Sequence, residues 1–137
     1  MEVLYPVFAL SGWTLICMAR LGYLRLQAVR RGEINHRFFS LYRGYDEPEK
    51  LAAHSRHVVN LFEVPVLFYV VCITAFVTDQ SGALVLGLAW AYVALRLVHS
   101  YVHLTSNVVL VRFRFFVTSW LVMVLLWAAV LTGIMRQ

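Results

Sequence analysis

Charge is scarce in this sequence. Only 14% of its 137 residues are Asp, Glu, Lys or Arg, against 61% that are hydrophobic. A soluble domain of this length carries charge on roughly a quarter of its residues, so the surplus apolar surface calls for lipid rather than water. The charges are also unevenly placed: Asp79 alone intervenes between Glu63 and Arg96, and none occurs from Phe115 to Met135. Cysteine is equally thin, with Cys17 and Cys72 both inside apolar runs. Such residues behave as small buried hydrophobes; the two match no metal spacing and carry no information on redox compartment. A basic residue is missing ahead of the first apolar run, which opens Met1, Glu2, Val3. That run lacks the basic start of a cleaved signal peptide and reads as a retained span. Internal repeats and low-complexity tracts are absent too.

What is present is a set of four apolar segments, about 4–26, 57–78, 83–106 and 115–135, within a single domain spanning 1–137. Each is long enough to cross a hydrocarbon layer ~30 Å thick, and backbone groups in lipid must be satisfied internally, so all four are expected to be helices. Asp79, Gln80, Ser81 and Gly82 make a tight turn between the second and third. The connection over 27–56 holds Arg30, Arg31, Arg37, Arg43, Lys50 and Arg56, and the one after the third span holds Arg112 and Arg114. The other side shows only Glu2, Asp79 and Arg136. The excess of basic residues puts both basic connections in the cytoplasm and both termini on the non-cytoplasmic side, of the inner membrane if the cell is bacterial. This sorting by connection accounts for the net charge of +5 without a nucleic-acid partner. Of Arg20 and Arg25, in the last turns of the first span, at least one reads as snorkelling toward that interface. Trp13, Trp90, Trp120 and Trp127 read as lipid-facing or interfacial.

The informative residues are polar ones where lipid should be, since a charge near mid-membrane costs ~2.5–3.5 kcal/mol on insertion scales. Arg56, Asn60 and Glu63 stand at i, i+4 and i+7, within an arc of ~60° on the second helix. Arg96, His99, Ser100, His103 and Asn107 share an arc of ~100° on the third. Both stripes lie in the cytoplasmic half, where Arg96 can reach Glu63. An interhelical ion pair holding the bundle together would explain one or two such residues. A stripe of acid, amide, imidazole and guanidinium suits instead a small anionic or zwitterionic ligand. Metal or haem ligation by His99 and His103 is disfavoured by Arg96 on the same face and by the lack of a further ligand at suitable spacing, so no metal is expected. No broken helices or inverted repeat suggest a transporter.

The segments RHVVNLFEVPVLF (56–68) and RLVHSYVHLTSNVVLVRFRFF (96–116) resemble the MAPEG family, membrane-associated proteins of eicosanoid and glutathione metabolism. The resemblance runs over nearly the whole chain and points to a bacterial-type member. It implies an all-α four-helix transmembrane bundle assembled as a homotrimer among membrane lipids, with glutathione as co-substrate held between neighbouring subunits. It also implies site residues. Arg56 would contact a glutathione carboxylate, Asn60 would hold the tripeptide, and Glu63 would take the γ-glutamyl ammonium. Arg96 and His99 match polar positions of the third helix, and Arg112 lies near the arginine that stabilises the thiolate. His103 stands where eukaryotic members often carry Tyr. Asn107 replaces an apolar residue, and the linker YRGYDEPEKL (42–51) differs from the better-known enzymes. Between Arg20 and Arg25 as a first-helix contributor the resemblance does not choose. The implied activity is a glutathione-dependent transferase or peroxidase acting on lipophilic electrophiles. The alternative is a non-catalytic trimer of the same fold that binds a lipid or a protein partner.

Overall fold

The computed structural model describes residues 1–42 and 46–136; Arg43, one of the basic residues of the first connection, lies outside them. Four long helices, α1 (Leu4–Arg30), α3 (Glu49–Val77), α4 (Ala83–Leu104) and α5 (Val109–Ile134), are joined with one short turn of helix, α2 (Phe38–Leu41). All four are long and apolar enough to cross a membrane. At the end of the bundle carrying the basic residues, here the basic end, three of them outrun the apolar segments. α1 continues to Arg30, α3 starts at Glu49 rather than 57, and α5 starts at Val109 rather than 115. Hydropathy marks where apolar side chains stop. The backbone ladder continues wherever good helix formers such as Glu49, Lys50, Leu51, Ala52 and Ala53 follow. One consequence corrects the sequence reading: Arg112 and Arg114 are in the first turns of α5, not in a connection.

The helix ends explain the sharp reversals. After α1, Gly32 takes a left-handed φ of 72°. Its N–H donates to Val29 O at 3.0 Å while that of Glu33 donates to Ala28 O at 3.0 Å. After α3, Asp79 (φ 58°) repeats the motif, with its N–H on Phe76 O at 3.3 Å and that of Gln80 on Ala75 O at 2.7 Å. Both are Schellman closures, which satisfy carbonyls left over at a helix C-terminus. α4 closes on Asn107, whose N–H reaches Val102 O at 2.8 Å. Its φ of 48° suits Asn better than most residues.

α3 and α4 occupy the middle of the bundle, and both α1 and α5 pack on both of them. α1 and α5 do not meet among the described residues. Away from the basic end the interior is apolar, with Leu10, Phe68, Tyr92 and Leu126 fully buried and the rings of Phe68 and Tyr92 stacked at 4.6 Å. At the basic end a second apolar cluster of Leu21, Ala28, Ile34, Phe38 and Leu51 holds the first connection down. The outer surface exposes Phe8, Leu15, Ile16, Leu67 and Leu125, the apolar exterior of a helix bundle set in lipid. Between the two apolar clusters lies a polar layer, and the candidate site is there.

Candidate functional site

α3 presents Arg56, Asn60 and Glu63 to a groove of about 560 Å³ whose opposite wall is α5. Val109, Arg112, Phe113 and Phe116 line that wall, and His99 and His103 of α4 close the groove from behind. Arg56, Asn60 and Glu63 of the first stripe therefore meet His99 and His103 of the second in one place, while Ser100 is turned to Trp13 of α1. Arg56 and Glu63 are exposed and Asn60 is half-buried. Neither charged residue has an ion-pair partner among the described residues, where the one ion pair joins Arg31 to Glu33 at 3.9 Å near the surface. Glu47, at the basic rim, accepts a hydrogen bond from Ser55 at 3.0 Å.

Arg96 departs from the expected role. It is 1% exposed and does not line the groove. Its Nη2 donates to the backbone carbonyl of Asn60 at 3.2 Å, and no ion pair with Glu63 forms. The reason is direction: Arg96 is on the inner face of α4 with Tyr92, while Glu63 is on the flank of α3 turned to α5. The guanidinium lies 5.6 Å from the ring centre of Phe116 and 5.9 Å from that of Tyr92, within the range of cation–π attraction. Arg96 thus ties α4 to the backbone of α3 from behind the groove.

Among the described residues, Arg112 is held by neutral groups only. Its Nη1 donates to Asn107 Oδ1 at 2.7 Å and to His103 Nε2 at 3.2 Å. A guanidinium can only donate, so Nε2 of His103 must be the acceptor and the imidazole proton sits on Nδ1. His99 secures the other side of the same residue, with Nδ1 on the carbonyl of Arg112 at 3.1 Å. A carbonyl only accepts, so His99 carries a proton on Nδ1. Neither contact cancels the positive charge of Arg112. Asn60 Oδ1, His99 Nε2 and His103 Nδ1 have no partner among the described residues, and all three belong to residues of the groove.

His57 was missed by the sequence reading. It is 1% exposed, with its ring 5.1 Å from that of His103 and 6.4 Å from that of His99. Its signal was available: it shares the buried face of α3 with Leu61, Pro65 and Phe68, where an imidazole is out of place. Among the described residues no group of three His, Cys, Asp or Glu side chains is arranged to hold a metal ion. Arg20 and Arg25 do more than snorkel. Nε of Arg20 donates to Nε2 of His54 at 3.0 Å, and the Nδ1 proton of His54 goes to Lys50 O at 2.7 Å. Arg25 donates to the Tyr42 hydroxyl at 3.0 Å and lies 5.3 Å from the ring centre of Phe39. Neither lines the groove. Trp13 is likewise more than an interfacial ring, since its Nε1 donates to Ser100 Oγ at 3.0 Å.

A scan of protein families matches the MAPEG family over residues 3–132. The chain belongs to the MAPEG family. Comparison with curated proteins and with solved structures gives no match. As a MAPEG protein with four membrane-length helices, it is a multi-pass integral membrane protein. The polar layer of this MAPEG chain lies where its α3 and α5 walls face each other.

Proposed function

We propose that this MAPEG protein is a glutathione-dependent transferase or peroxidase acting on lipophilic electrophiles, assembled as a homotrimer. The observation that carries the reading is Arg112. Among the described residues it is a guanidinium held by neutral acceptors alone, in the same groove as Arg56, Asn60 and Glu63. Glu63 has no cationic partner among the described residues, so it suits the glutamyl ammonium of glutathione. Arg56, two turns toward the basic rim, suits a carboxylate, and Asn60 between them donates and accepts.

With the tripeptide so aligned, the thiol falls toward Arg112. A guanidinium favours the thiolate, which is the nucleophilic form, and the proton leaves to solvent. In conjugation the thiolate forms a C–S bond with an electrophilic carbon as the leaving group departs. In peroxide reduction it forms an S–O bond as the O–O bond breaks and the alcohol leaves; a second glutathione then gives the disulfide and water. Val109, Phe113 and Phe116 supply an apolar wall for the lipophilic partner, which reaches it through the bilayer. The trimer is supported by the exposure of Arg56 and Glu63 on an apolar flank, which in lipid requires a polar neighbour.

The test is a conjugation and peroxidase assay on detergent-purified protein, beside glutathione titration by calorimetry of the parent, Glu63→Gln and Arg56→Ala. We expect turnover in the parent and glutathione binding weakened by ~1.5–3 kcal/mol in each variant, the scale of a charged hydrogen bond. Both variants should keep the parent's size-exclusion volume. Binding as tight as the parent in both would sink the reading of the stripe. Binding without any turnover would leave the non-catalytic alternative standing.

A further inference from the structure

On the side of the bundle away from this groove, α1 and α4 part to leave a cleft of about 390 Å³ lined by Trp13, Arg20, Leu97, Tyr101, Leu104 and Thr105. α1 and α4 run in the same direction, and the hydrogen bond from Trp13 to Ser100 sets their register. Trp13 and Leu97 therefore lie deep. Arg20, seven residues further along α1, lies ~10 Å nearer the basic end, alongside the later residues of α4. The cleft thus has an apolar depth and a cationic mouth. Arg20 is exposed. Its Nε is committed to His54, while its Nη atoms have no partner among the described residues and no carboxylate lines the cleft. The Tyr101 side chain, 70% exposed, lines the same cleft.

From this charge and shape we infer that the α1–α4 cleft is a binding site for one anionic glycerophospholipid of the surrounding bilayer. Its phosphate sits on the Arg20 guanidinium and its acyl chain runs down over Leu97 and Trp13. The His54 bond holds the guanidinium in place, so less side-chain freedom is lost when the phosphate arrives. The acyl chain adds shape selection rather than hydrophobic drive, since it leaves an equally apolar bilayer. Selectivity therefore rests on the headgroup. A free phosphate would use only the mouth, and a second copy of this chain would cover the cleft instead.

The test uses native mass spectrometry of detergent-purified protein exchanged with phosphatidylglycerol or phosphatidylcholine. The parent is expected to retain one phosphatidylglycerol per protomer, about fivefold over phosphatidylcholine, the scale of one interfacial arginine. Arg20→Gln should abolish the preference, while Arg25→Gln, outside the cleft, should keep it. Because Arg20→Gln also removes the bond to His54, Leu97→Trp is the second variant: it fills the depth, leaves that bond intact and should lower retention of both lipids. Equal retention of the two lipids by the parent would overturn the site, as would parent-like retention in Leu97→Trp. Photo-crosslinking from Leu97→Cys that captures another protomer in place of lipid would overturn it as well.

Discussion

Arg112 and His103 share a hydrogen bond of 3.2 Å in which the arginine donates and the imidazole Nε2 accepts. The bond fixes the tautomer of His103 and leaves the charge of Arg112 whole, since a neutral imidazole contributes no negative charge. The same arginine is gripped at its carbonyl by His99. A residue expected in a loose connection is therefore a clamped cation on the wall of a groove.

Arg112→Ala should lower glutathione turnover about 100-fold, the scale of losing one donor aimed at developing charge. Glutathione affinity should change little, because the guanidinium matters most once the thiol proton has gone. Arg114→Ala is the control, since Arg114 is exposed and lines no part of the groove. Steady-state kinetics on both variants checks this, and equal losses would reduce the role to general electrostatics.

Asn107 combines two tasks, a left-handed φ of 48° and the shorter of the two bonds to Arg112. Asn107→Gly removes the acceptor without backbone strain, so turnover should fall while the melting temperature holds. Asn107→Ala loses the acceptor and also strains the backbone, so it should be less stable than Asn107→Gly by ~1 kcal/mol. Thermal unfolding and kinetics together separate the two effects. Matching stabilities would show that the left-handed turn relaxes at no cost.

His103→Gln keeps an acceptor in reach of Arg112, whereas His103→Leu keeps the volume and loses it. Turnover should fall further in His103→Leu than in His103→Gln, by roughly the worth of one hydrogen bond, ~1 kcal/mol or about fivefold. Similar activity in the two variants would mean that Asn107 alone positions the guanidinium.

His57 is buried with neither ring nitrogen bonded among the described residues. Replacing an unpartnered buried polar group by an apolar one of similar size is often neutral or stabilising. His57→Leu should therefore melt at or above the parent temperature. His54→Leu, which loses the Arg20 bond, should melt below it. A clear loss of stability in His57→Leu would show that the imidazole is bonded in the membrane after all.

In mild detergent the protein should run as a trimer by light scattering, because Arg56 and Glu63 face outward from an apolar flank. A species that stays monomeric at all concentrations would rule out the proposed trimer.

The number of membrane-length helices was legible in the sequence because hydropathy depends only on local composition, and uninterrupted apolar runs leave few alternatives in lipid. The stripe of Arg56, Asn60 and Glu63 was legible for a similar reason, since helical periodicity alone puts the three on one face. What periodicity cannot supply is direction relative to neighbours. Arg96 and Glu63 stand at similar depth on adjacent helices, yet one turns inward to the Asn60 carbonyl and the other outward to the groove. His57 was not legible in the same way, because its burial depends on how α3 turns toward His99 and His103 of α4, which the spacing of Arg56 and Asn60 does not fix. The reach of α5 to Val109 was also beyond hydropathy, since backbone hydrogen bonding continues past the last apolar side chain. The sequence by itself determined a helical, lipid-embedded chain with polar groups at one end. Tertiary packing alone decided which of those groups meet, because contacts between helices depend on rotation and register that no single helix encodes.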